Sequence, residues 1–457
     1  MGFTHTASYS VKFRDGHAAV KCTIDLYRAA VSYLLGPVLD KWDDLSAMET
    51  QLERKTFIEN QIHSTKDNTA VYDFDQRFYK FPSYLRRSAI ADAIGAVSSW
   101  KSNHKNWEND GRKGAEPVLG VSRDTCPVFY RGNMFQQTGT YTAIIKVFRN
   151  NDWVWQEIRL SKTDVDYLSR RIGTNTAVSA PVIEKKYGHY FLRFALTEQI
   201  EFPEIDVFDR RICAVDLGIN TDAVCSVMDA HGTVLARRFI NFAREKDSVY
   251  SALHRTSVFQ RLHGSHDSGF LWTIAKNRNE NHAHQIAHAI TAFAVEHQCD
   301  VIVMEYLDTN GKKHGSKKQK LQMWRHKSIQ KTVESLAHRN GIRISHVNAW
   351  NTSKLAYDGS GYVERGITQK NVERRRYSDG KKTVLKPKGS YSICRFKNGK
   401  IYNCDLSASY NIGARYFIRE ILRELSSDDP AEVCGIGSGT RRTLSDLWKL
   451  DKFLFVS

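Results

Sequence analysis

Proline is scarce in this sequence, with 8 in 457 residues, and no long stretch is compositionally simple. That excludes a proline-rich spacer or a fibrous repeat and predicts a chain folded through most of its length. Cysteine is equally thin. Cys22, Cys126, Cys213, Cys225, Cys299, Cys394, Cys404 and Cys434 are scattered, which excludes a dense disulfide framework and fits a reducing cytosol. Cys213, Cys225 and Cys299 lie in or beside apolar runs and read as small buried hydrophobes. No apolar run approaches the ~18 residues of a membrane span, and no apolar signal segment opens the sequence. The expected setting is cytoplasmic, with no membrane partner.

Positive charge, by contrast, is abundant. Lys and Arg number 67 against 50 Asp and Glu, a formal charge of +17. Such a surplus speaks of partners rather than fold, and a polyanion is the obvious one. The cations cluster at Arg86-Arg87, Arg112-Lys113, Lys312-Lys313, Lys317-Lys318, Arg374-Arg375-Arg376 and Lys381-Lys382. With 11% aromatic residues, cations interleaved with stacking rings suit single strands and RNA. Solvated, solubilising surface is the plainer reading of any one cluster.

Periodicity divides the chain. Phe3 to Phe13 alternates as a strand, then Ala18 to about Asp43 turns helical, as do Ser46–Ile62 and Tyr84–Trp100 after Pro82-Ser83. Asn103 to Gly120 is polar and glycine-bearing and reads as a linker. Short strands with turns follow from Val128 to Ala195 and predict a small barrel that the first strand could join. From Arg211 the pattern is mixed α/β. Two strands span Arg211–Met228, and Val234–Phe239 is a third. Asp300–Tyr306 is nearly continuous and apolar, like a buried parallel strand. Helices are expected at Asn281–His297, Leu321–Arg339 and Asp405–Leu425, and a strand at Ile342–Val347.

Three carboxylates stand at the ends of such elements. Asp216 ends the first strand of the α/β part, Glu305 ends Asp300-Val-Ile-Val-Met-Glu305, and Asp405 opens a helix. An ionised Asp in a dry sheet is expensive unless something pairs it. Neighbouring strands and a following helix can gather all three, and gathered carboxylates repel by ~4 kcal/mol for a pair at ~4 Å. Divalent cations remove that penalty, and oxygen-only ligands favour magnesium or manganese over zinc. Two such ions suit phosphodiester hydrolysis. Singly, each carboxylate also reads as a cap or turn former. Asp216-Leu-Gly218 with the following hairpin also looks like the first phosphate hairpin of actin-like sugar kinases, but their second glycine-rich loop is missing. His284 and His288, i and i+4 on a helix, read as a polar face rather than as ligands.

The segments Ala214-Val-Asp-Leu-Gly-Ile219, Val301-Ile-Val-Met-Glu305 and Asp405-Leu-Ser-Ala-Ser-Tyr-Asn-Ile412 resemble the three RuvC motifs of the TnpB nucleases and the miniature type V CRISPR effectors. Asn351-Thr-Ser353 and, upstream, Pro127-Val-Phe-Tyr-Arg-Gly-Asn-Met134 and Trp153-Val-Trp155 extend the likeness over residues 80–420. The resemblance implies a multidomain α+β protein. A wedge β-barrel would span 1–17 and 115–205, with a helical recognition domain inserted at 18–114. A ribonuclease H-like RuvC domain would occupy 206–347 and 402–425, a basic module that binds target nucleic acid 348–401, and a C-terminal tail 426–457. It implies a prokaryotic RNA-guided DNA endonuclease that binds a guide RNA, reads a short motif beside target DNA and cuts in one RuvC site, as a monomer or as a dimer on one guide. Asp216, Glu305 and Asp405 would be catalytic and hold two magnesium ions, with manganese an alternative. Lys312, Lys313, Lys317, Lys318, Arg374, Arg375, Arg376, Lys381 and Lys382 would contact nucleic acid. The family's paired Cys-x-x-Cys motifs are mostly missing: Leu355–Gly359 stands for the first, and Lys397 takes the last place of the second. Zinc is therefore not expected, and 348–401 reads as a degenerate zinc ribbon. A guided repressor that does not cut, or an RNA-binding transposon accessory, are the other readings.

Overall fold

The computed structural model describes residues 2–186, 188–264, 267–307, 324–367, 375–378, 381–384, 390–425 and 439–456. The chain divides into two compact units, Thr6–Gln199 and Ile200–Ser457, the latter taking in Met1–His5.

The first unit holds β1 (Gly2–Arg14) from Thr6 onward and then α1 (His17–Asp40), α2 (Trp42–Ala47), α3 (Gln51–Ile62), α4 (Phe74–Arg77) and α5 (Ser83–Asn109). It closes with β2 (Phe135–Gln137), β3 (Thr142–Arg149), β4 (Asp152–Leu160), α6 (Lys162–Ser169), β5 (Thr176–Val178), β6 (Val182–Lys186) and β7 (His189–Glu201). The strands run in the order β2-β3-β4-β1-β7-β5, with β6 also on β7, so the five helices are inserted between two strands of one sheet. The predicted barrel is instead a curled half-barrel. Its outer strands β2 and β5 are three residues each, too short to form a closing ladder, and a single bridge, Val128 to Val182, links the segment before β2 to β6.

The apolar stripe of α1 (Val20, Ile24, Tyr27, Val31, Leu34) packs on that of α5 (Leu85, Ala89, Ile90, Ile94, Val97) and on the sheet. Where α1 and α5 meet, the Tyr27 hydroxyl donates to Asp92 at 2.7 Å, so this buried polar group is satisfied. Helix α5 also overruns the predicted linker by seven residues, to Asn109. Its last turns hold because Trp100, His104 and Trp107 stack in series and Trp100 Nε1 donates to Pro117 O at 2.9 Å. Of the Arg86-Arg87 pair, Arg86 belongs to the packing, while Arg87 is exposed. Arg86 is buried, and both guanidinium groups meet Glu59, at 3.1 and 2.8 Å.

The second unit is a three-layer α/β arrangement. Strands β8 (Ile212–Leu217), β9 (Ala223–Met228), β10 (Val234–Ile240), β11 (Val301–Tyr306) and β12 (Arg343–Asn348) form a sheet ordered β10-β9-β8-β11-β12. The first three make an antiparallel meander, while β11 and β12 run parallel to β8. Helices α7 (Ala243–His263), α8 (Gly269–Glu296) and α9 (His326–Arg339) precede the crossover strands. The small strands β13 (Glu364–Ile367), β14 (Arg375–Ser378), β15 (Lys381–Val384), β16 (Ser390–Arg395) and β17 (Ile401–Asn403) lead to α10 (Cys404–Glu424), and α11 (Leu444–Val456) is last.

Alternation along the strands sorts the sheet's two faces. Cys213, Val215, Ile302 and Met304 pack under Ile286, Ile290, Phe293 and Val333 of α8 and α9. Ile212, Ala214, Val301 and Val303 pack under Ile412, Phe417 and Ile418 of α10 and Leu447 of α11. The stretch expected to be a tail therefore contains a helix whose Leu444, Leu447 and Leu450 are buried. Cys213, Cys225 and Cys299 are buried as well. The sequence pattern missed α7, which buries little besides Val249, Ala252 and Thr256 and so shows no wide apolar stripe.

Gly413 sets how closely α10 approaches the sheet. A Cβ there would stand 3.1 Å from Met228 Sδ and 3.3 Å from Ala214 Cβ. Gly413→Val is expected to overpack this contact at ~1–3 kcal/mol and to lower the melting temperature measured by calorimetry.

Candidate functional site

The same alternation that builds the core places the acids. Residues 212 and 214 of β8 face α10, so Asp216 follows on that face; residues 301 and 303 of β11 put Glu305 there too. The β8–β11 register pairs Val215 with Met304, so Asp216 and Glu305 come next, side by side. Asp405 enters from above them, in the first turn of α10. Asn403 caps that helix, its side-chain oxygen accepting from Leu406 N at 2.9 Å, and the carboxylate sits at the positive end of the helix dipole.

The three acids are 9% (Asp216) and 8% (Glu305) exposed in the sheet, with Asp405 half-buried. Burial drives the Asp216 carboxyl well above its ordinary value, and the charges of Glu305 and then Asp405 push it further the same way. Glu305 is raised by burial, against a hydrogen bond from Thr352 and the Arg415 cation. Asp405 is raised by burial, against the Arg365 cation and a hydrogen bond from Thr221. Burial is the common cause of all three shifts, and at Asp216 the charges of the other two acids add to it.

Neighbouring polar groups fix the acids' positions. The Thr352 hydroxyl donates to Glu305 Oε1, and Gln330 Nε2 donates to the Glu305 carbonyl at 2.7 Å. Asn411 of α10 donates to the carbonyl oxygens of Thr352 and Leu355, both at 2.9 Å, and accepts from Leu444 N at 3.3 Å. Arg415, one turn on, donates to the carbonyls of Asn348, Trp350, Thr440 and Arg442 at 2.7–3.1 Å. Burial lowers its pKa to about 10, and it remains a cation at neutral pH. Arg365 of β13 is exposed and donates to Ser353 O.

Sequence reasoning named the three acids but gave no role to Thr352, Asn411, Arg415 or Arg365. The available signal was Asn411 and Arg415 recurring at i and i+4 on a helix otherwise packed in the core.

Magnesium fits the chemistry of this donor set, which is oxygen only, anionic and already strained by mutual repulsion. The spacing is looser. Among the described residues, no three His, Cys, Asp or Glu side chains stand close enough to share an ion as they are. Cys394 and Cys404 share a small apolar core with Ala356 and Phe396. Of the predicted nucleic-acid contacts, Lys312, Lys313, Lys317, Lys318 and Arg374 lie outside the described residues. Arg375, Arg376, Lys381 and Lys382 fall on the β14–β15 hairpin, paired Arg375 with Val384 and Ser378 with Lys381.

A model of the Aq_aa04 family matches residues 5–149, less than half of the chain. No curated protein matches. Among solved structures, the chain is similar to a Cas12f1 in complex with sgRNA and target DNA, at 14% identity and a TM-score of 0.44 over 78% of this chain and 91% of that one. A Cas12i variant bound to crRNA and double-stranded DNA gives 10% and 0.43, over 90% and 70%. C2c1 of Alicyclobacillus acidoterrestris with single-guide RNA also gives 10% and 0.43, over 85% and 67%. At these identities and TM-scores the similarity says nothing of activity. No helix among the described residues is long and apolar enough to cross a membrane.

Proposed function

We propose that the chain is an RNA-guided DNA endonuclease whose second unit is a ribonuclease H-like, RuvC-type nuclease. The observation that carries this is the convergence of Asp216, Glu305 and Asp405 on one face of a sheet ordered 3-2-1-4-5, in a chain of charge +17. Asp216 and Glu305 would hold magnesium from the strand ends and Asp405 from the helix. Bound there, the metal would activate water and stabilise the leaving oxygen of a phosphodiester.

The protein's own part is positional. Thr352 and Gln330 hold Glu305 from its side chain and its main chain, and Thr221 holds Asp405. Asn411 and Arg415 tie the 348–355 segment to α10, so the elements carrying Glu305 and Asp405 move together. Arg365 stands as an exposed cation beside the acids, suited to a phosphate oxygen.

A guided binder that does not cut is the second reading. It is favoured by the lack, among the described residues, of three ligands close enough to share an ion. The two separate in one assay: sequence the RNA that copurifies with the chain, then offer DNA matched to it in magnesium. Cleavage by the native chain and none by Asp216→Ala supports the nuclease; tight guide-dependent binding with no cutting by either selects the binder. Binding is expected to weaken steeply with salt, as phosphate contacts require, and a flat salt response would remove the argument from charge.

A further inference from the structure

The turn that follows Asp216 has a second surface. One side of it carries Thr221, bonded to Asp405. Gly218, Ile219 and Asp222 of the same turn line a cavity of about 500 Å3 among α7, α8 and α9. The turn is tight, since a Cβ at Gly218 would fall 2.5 Å from Thr221 O, so the cavity wall and the acidic site are parts of one short piece of backbone.

The cavity is more than a gap between helices. Its floor is apolar, from Val249, Ile286 and Ile329, and two flat rings, Tyr250 and Trp324, stand in its lining, Tyr250 71% exposed. His282, nine-tenths buried, lines it as well. Its Nε2 lies 3.3 Å from Asp222 Oδ1, and this contact pulls the Asp222 carboxyl below its ordinary value against the effect of burial. The Trp324 indole nitrogen is buried and has no hydrogen-bond partner among the described residues. Buried ring nitrogens are seldom left so. A free indole N–H on an apolar cavity asks for an occupant with an acceptor atom at its edge and an apolar face. Lys246 and Arg325, also in the lining, favour one tethered to negative charge, although Lys246 is paired with Asp222 at 3.1 Å and Arg325 with Glu280 at 3.7 Å.

A nucleobase on a phosphodiester strand has all three properties: a flat face, carbonyl or ring-nitrogen acceptors, and a phosphate on either side. We propose that this cavity receives one unstacked base of the single strand presented to Asp216, Glu305 and Asp405. The proposal deepens the nuclease reading and rests on it for the identity of the strand.

The test uses the full chain carrying Asp216→Ala, without divalent metal and at low salt, so that nothing is cut. Single-stranded oligonucleotides, in DNA and RNA form, carry 2-aminopurine at each position in turn, and a matched set carries an abasic site instead. The expected result is fluorescence quenching at one position, where the abasic strand binds about tenfold more weakly. Tyr250→Ala and Trp324→Phe, each added separately, should remove most of that difference and leave binding of the abasic strand unchanged. A signal confined to DNA would make the occupant a target base, and one confined to RNA a guide base. Equal abasic costs at every position, a position-specific loss that survives both variants, or no binding of either strand would overturn the proposal. Failure of the nuclease reading looks different: the native chain would not cut guide-matched DNA in magnesium, whatever the quenching.

Discussion

Asp216→Asn is expected to abolish cleavage and, at the same time, to stabilise the metal-free protein. The first effect follows from losing a carboxylate that would hold the metal. That interaction supplies several kcal/mol to the transition state, so the rate should fall by at least about a thousandfold. The second effect follows from the site's electrostatics. The folded Asp216 carboxyl has a pKa well above its ordinary 3.8, because of burial first and then Glu305 and Asp405. Between the ordinary and the raised value, the folded protein holds a proton that the unfolded chain has released. Stability from this group is therefore full below the ordinary value and is lost as pH rises through the window. Metal-free native protein should melt lower as the pH is raised from 4 toward neutrality, with a shallower slope for Asp216→Asn. Magnesium should raise the melting temperature of the native chain at neutral pH and of the variant much less. Scanning calorimetry with and without chelator reads both. A variant no more stable than the native chain in chelator would mean that an ionised Asp216 costs the folded state nothing.

Arg415→Ala should be the most damaging single change in the second unit outside the acids. Arg415 is buried and closes four carbonyl groups drawn from two separate segments, 348–350 and 440–442. Truncation leaves those carbonyls short of donors and removes the cation that opposes the raised pKa of Glu305. Breaking a buried charged network of this kind costs ~3–5 kcal/mol. Arg415→Lys should recover only part of it, because one ammonium cannot reproduce a fork that reaches four carbonyls. Chemical denaturation should show a lower midpoint with an unchanged slope. A loss under about 1 kcal/mol would show that water replaces the guanidinium there.

How far the sequence disclosed this arrangement depended on where periodicity was strong. The strands carrying Asp216 and Glu305 were legible because Ile212–Leu217 and Val301–Tyr306 are almost wholly apolar apart from their acids, which made those acids stand out. Placing them on one face needed only the two-residue repeat. Helix α7 was not legible, since its exposed surface is far larger than its buried one. The last turns of α5 were hidden because they rest on Trp100, His104 and Trp107 rather than on an apolar stripe. The half-barrel was read as closed because strand counting cannot show that β2 and β5 are too short to meet. Thr352, Asn411 and Arg415 look like ordinary polar residues in one dimension; their roles arise from contacts between positions dozens of residues apart. Arg86 misled for the same reason, since its partner Glu59 lies 27 positions before it in the chain.

The central claim is that three acids from two strands and one helix act as a single metal site. Manganese titrated into the native chain and into Asp216→Asn, Glu305→Gln and Asp405→Asn, followed by electron paramagnetic resonance, tests it most directly. Each variant is expected to bind at least about tenfold more weakly than the native chain, because each removes a ligand of the same ions. Native-like binding by any two of the three variants would contradict the account.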